Sequence, residues 1–68
     1  MIKEGTHVHV GALYARCGIR LIDEQGAHGI VYGWSYHFNR YAVLVDGWLD
    51  CIMVPPECMT VIEDFKED

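Results

Sequence analysis

Sixty-eight residues with 51% hydrophobic content make one small domain and exclude a disordered chain, because there is apolar surface enough to offset chain entropy. Ten Asp and Glu against five Lys and Arg leave a net charge of −5, and the cations Lys3, Arg16, Arg20, Arg40 and Lys66 are scattered along the chain. Nucleic acid is therefore not expected as a partner, since phosphate binding needs clustered cations. No apolar run reaches membrane-span length, and Met1-Ile2-Lys3-Glu4 lacks targeting features, so no membrane partner is expected. Three cysteines, Cys17, Cys51 and Cys58, are an odd number and read as reduced thiols in a cytoplasmic protein.

Taken in order, Gly5 to Val10 alternate, with Val8 and Val10 on one face and His7 and His9 on the other, which predicts a first strand. Residues 12–17 read equally as a helical turn or a long loop. Ile19 to Ile22 predict a short strand, closed by the turn-prone Asp23-Glu24-Gln25-Gly26. The central strand is predicted at Ile30 to Trp34, where Gly33 signals a bend or bulge that leaves the faces of Tyr32 and Trp34 open. Ser35 to Arg40 predict an exposed strand end and a hairpin loop. Tyr41 to Val45 form the next strand, Asp46-Gly47 a tight turn, and Trp48 to Val54 the returning strand. Pro55-Pro56 stop that strand, Pro56 to Met59 suit one 3-10 turn, and Thr60 to Ile62 a closing strand. The prediction is an all-β fold, a small SH3-like barrel of about five strands with a single 3-10 turn before the last, spanning 1–68 with 63–68 as a frayed acidic tail.

The segments Gly29-Ile30-Val31-Tyr32-Gly33-Trp34, Tyr41-Ala42-Val43 and Ile52-Met53-Val54-Pro55 resemble the plasmid-borne type II dihydrofolate reductases. That resemblance implies an SH3-like barrel, a homo-oligomer around a shared pore lined here by Ile52, Met53 and Val54, and Trp34 at a subunit contact. It does not imply the reductase activity. Ile52 stands where the family has its ligand-binding glutamine, Val54 where it has its active-site tyrosine, and the family's basic pair after the first strand is missing. A chain of net −5 without those cations is poorly suited to two anionic ligands. Gly26-x-x-Gly29-Ile30-Val31 is also similar to the turn and strand of KOW-type barrels, whose basic loops this chain lacks.

His7 and His9 stand about 7 Å apart on one strand face, at ~3.3 Å rise per residue. With His28, His37 or a cysteine they are candidates for a metal site, and the plainer reading leaves both on the solvent face. Trp34, Tyr36, His37, Phe38, Tyr41 and Trp48 make the densest aromatic set. From it, Trp34, Tyr36, His37, Tyr41 and Trp48 are the expected surface for self-association or a protein partner. The three cysteines read as small hydrophobes, and turn chemistry accounts for Asp46. No catalytic residue and no cofactor is expected. The sequence points to a non-enzymatic, self-associating interaction module of the kind carried by phages and mobile elements. The alternative is a small-molecule binder or minor enzyme with its site in an oligomeric pore.

Overall fold

In the computed structural model, residues 2–62 are described, and the acidic tail 63–68 lies outside them. The elements run β1 (His7–Val10), β2 (Leu13–Tyr14), β3 (Arg20–Ile22), β4 (Ala27–Ser35), β5 (Arg40–Val45), β6 (Ile52–Val54), a 3-10 turn (Pro56–Cys58) and β7 (Met59–Val61). Five strands form one antiparallel sheet in the order β6-β5-β4-β1-β7, and β2 and β3 form a separate hairpin. The molecule is all-β, with the one 3-10 turn before the last strand that the sequence predicts.

The expected barrel is not closed. β6 and β7 are the two edges of the sheet and do not pair with each other. Pro55 and Pro56 remove two backbone donors where β6 ends, and the 3-10 turn carries the chain to the opposite edge, beside β1. The hairpin β2–β3 reaches the core instead, inserting Leu13 and Ile22 among Val8, Val10, Val31, Tyr41, Val43, Val45 and Val54. Residues 12–17, ambiguous in sequence, thus hold a strand of the hairpin, with Leu13 opposite Ile22 and Tyr14 opposite Arg20.

Alternation decides the faces. Val8 and Val10 are fully buried while His7 and His9 lie on the outer side, as period-two patterning requires. On β4 the buried positions are Gly29 and Val31. Gly29 is glycine for lack of space: a Cβ there would lie 2.6 Å from Val43 Cγ1 and 3.0 Å from the Leu44 carbonyl. Register then shifts between Val31 and Gly33, the bulge that Gly33 foreshadows, with Tyr32 as the extra residue. Val31 opposes Val43, but beyond the bulge Trp34 opposes Tyr41, so an even-numbered residue joins the inner face. Trp34 packs against the core and meets the Tyr41 ring edge-on at 4.6 Å, while Tyr32 turns outward.

The returning strand is shorter than predicted. Asp46-Gly47 turn the chain, with the Trp48 N–H donating to the Val45 carbonyl, but Gly47 alone has positive φ, at +83°. A two-residue type I′ hairpin needs positive φ at both central residues. The chain therefore runs on through residues 48–51 as a loop, and β6 begins only at Ile52.

Candidate functional site

Two places on the surface gather chemistry. The larger is a groove of about 520 Å³ between the β2–β3 hairpin and the β4–β5 hairpin. Leu13, Tyr14, Ala15, Arg16 and Leu21 line one wall, and His37, Phe38, Arg40 and Met53 the other. Each wall is fixed by local structure. Across the short β2–β3 pairing the Arg20 guanidinium lies over the Tyr14 ring, 5.8 Å from its centre, and holds that ring as a wall. Opposite, the hairpin turn 36–39 is tied by the Phe38 N–H donating to Ser35 Oγ at 3.3 Å and by Asn39 in the left-handed region at φ 53°. The His37 and Phe38 rings meet edge to face at 4.6 Å.

The second is a line of polar groups on the outer face of the sheet. Asp46 Oδ2 lies 2.7 Å from His28 Nδ1, and His28 Nε2 lies 2.8 Å from His7 Nδ1. Because an ionised carboxylate only accepts, His28 Nδ1 is the donor to Asp46. In neutral His28, Nε2 then accepts from His7 Nδ1–H. Protonated His28 donates to His7 instead. The Asp46 carboxylate thus favours the proton on Nδ1 of His28. His9, directly across the ladder from His28, turns its Nε2 to the Gln25 carbonyl at 3.2 Å.

The aromatic and metal expectations divide on this geometry. Tyr36, 77% exposed, and Phe38, 58% exposed, lie on the surface of the β4–β5 hairpin, with His37 beside them. Tyr41 is not surface at all: it is buried, and its hydroxyl accepts the Ile2 N–H at 2.9 Å. Trp34 is half-buried on the core side of the bulge. Trp48 belongs to the loop after β5, at the other end of that strand from His37, where it borders a shallow recess of about 180 Å³ with Leu21, Ile22 and Val45. The expected aromatic surface is therefore two patches, and Leu21 lines both.

Ile52, Met53 and Val54 do not share a face as a pore lining would. Val54 is fully buried opposite Tyr41, Ile52 packs against the core, and Met53 alone reaches the groove. Among the described residues no group of three His, Cys, Asp or Glu side chains is placed to hold a metal ion, so His7 and His9 form no such centre with a third ligand. The cysteines are free thiols, Cys17 exposed and Cys51 and Cys58 half-buried. Among the described residues no helix is long and apolar enough to cross a membrane.

Sequence reasoning missed the cationic side of the groove. Arg16 and Arg40 are 24 positions apart in a chain whose cations look dispersed, and only the facing of the two hairpins brings them to one site. The signal that was available lay in the pairs Arg16-Cys17 and Asn39-Arg40, each at a turn beside aromatic residues. The chain matches no protein-family model, no curated protein and no solved structure.

Proposed function

We propose that this chain is a non-enzymatic interaction module, self-associating and engaging a protein partner through its β4–β5 hairpin. The observation that carries the reading is the exposure of the Tyr36 and Phe38 rings on a turn tied by the Phe38 N–H donating to Ser35 Oγ. Exposed aromatic rings on a rigid turn bind at low entropic cost, which is why such residues dominate interface energetics. The hairpin offers two sides. Tyr36 is not among the groove-lining residues and, edge-on to Trp34 at 6.4 Å, suits contact with a second copy. His37 and Phe38 line the groove and suit the partner.

Light scattering over a range of concentrations tests the reading. The wild-type mass should rise above 7.8 kDa with concentration. Tyr36→Ala should return it to the monomer value with an unchanged circular dichroism spectrum. A wild-type chain that stays monomeric at every concentration would remove the self-association, and a Tyr36→Ala variant that still associates would place the contact elsewhere.

A further inference from the structure

We infer that the groove between the two hairpins is a binding site for an extended acidic segment of a partner protein. The inference rests on the interaction-module reading above and adds the ligand's chemistry to it. The charge distribution carries it. The chain has ten acidic and five basic residues, yet among the described residues the groove lining contains Arg16 and Arg40 and no Asp or Glu. A third arginine, Arg20, stands behind the wall on the Tyr14 ring. Among the described residues no carboxylate pairs with any of these three guanidinium groups; the ion pair there joins His28 to Asp46 on the outer face. Arginines that no described carboxylate pairs, gathered around one concave site, favour a locally positive potential against the sign of the whole chain. Guanidinium groups answer carboxylates with paired, charge-assisted hydrogen bonds.

The remaining lining defines what accompanies those carboxylates. Leu13, Leu21, Phe38 and Met53 give an apolar floor and edges, so the ligand alternates acidic and apolar side chains, as an extended strand presents them to two sides. Leu21 also borders the recess of Trp48, so the ligand's path continues along β3 toward that ring.

The probe is a fluorescein-labelled peptide, Glu-Leu-Glu-Phe-Glu-Leu-Glu, titrated with the full chain and read by fluorescence anisotropy. Comparison probes replace each Glu by Gln or by Lys, and a labelled oligothymidine of eight nucleotides is run beside them. The acidic peptide should bind at least about ten-fold tighter than its Gln form, and weaken as salt screens the exposed charges. An Arg16→Gln/Arg40→Gln double variant should lose most of that preference while its melting temperature holds, both side chains being exposed.

Equal binding of the Glu and Gln peptides would overturn the acidic assignment and leave the module reading standing. No binding of any peptide would overturn the site. If the same sample also scattered as a monomer, the module reading would fall separately. Preference for the oligothymidine would overturn both, since bases stacked on Tyr14 and Phe38 would then be the natural occupants.

Discussion

Gly26 opens the stretch that runs into β4, and replacing it with alanine tests how that turn seats on β1. Its φ is +76°, in the left-handed region, and a Cβ there would lie 2.6 Å from the Val10 carbonyl oxygen and 2.5 Å from two atoms of the His9 ring. The exposed His9 ring can swing away. The Val10 carbonyl cannot, because Val10 is held in register between Ala27 and Met59. Left-handed backbone costs an L-residue about 1–2 kcal/mol. Overpacking against a fixed neighbour adds about 1–3 kcal/mol, for a total of about 2–5. Small domains are stable by about 0.05–0.15 kcal/mol per residue, so the change removes a large share of this one's stability. Gly47→Ala is the internal control: its φ is +83°, but nothing lies within 4 Å of the added carbon, so it pays the backbone term alone. Urea unfolding of both variants gives the comparison, with equal slopes required for a valid difference. Equal losses in the two variants would refute the close seating of Gly26 on β1.

Tyr41→Phe removes only the hydroxyl that accepts the Ile2 N–H, and should cost about 0.5–1.5 kcal/mol in urea unfolding without changing the molecular mass in solution. A mass change would restore Tyr41 to an interface. Trp34→Ala should cost about 2–3 kcal/mol, at or below the low end for a fully buried tryptophan because Trp34 is only half-buried. Differential scanning calorimetry would show this as a lower melting temperature, and an unchanged one would contradict its place against Tyr41. Asp46→Asn should cost no more than about 1 kcal/mol, as expected of an exposed pair. A sharper signature comes from Asp46→Ala, which leaves no side-chain acceptor: in nitrogen-15 NMR the His28 ring should lose its preference for the Nδ1–H form. A ring that keeps that form in Asp46→Ala would mean Asp46 does not orient it.

Most of the fold was legible because short-range chemistry specifies it. Val8 and Val10 alternate with His7 and His9, Gly33 marks the bulge, and Pro55-Pro56 mark the stop. What was not legible depends on contacts distant in sequence. Leu13 looks like loop until Ile22 pairs with it across the hairpin. Trp34 changes face because Tyr32 is extruded, and no local pattern tells which residue a bulge extrudes. Asp46-Gly47 reads as a tight hairpin in sequence, yet Asp46 keeps a negative φ and joins His28 through its side chain. At the site, Tyr36 and His37 are exposed on the β4–β5 hairpin. Tyr41 was misplaced for a simple reason: strand alternation with Val43 and Val45 makes it core, and residue type alone made it surface. The groove's arginines needed the fold to bring them together.

The central claim is that the β4–β5 hairpin is the contact surface. A concentration series of proton–nitrogen correlation spectra on labelled protein tests it most directly. Amide shifts should move with concentration at Ser35, Tyr36, His37 and Phe38 and stay still along β1 and β7. Shifts centred instead on His7, His9 and Thr60 would put the contact on the outer face of the sheet and contradict the account.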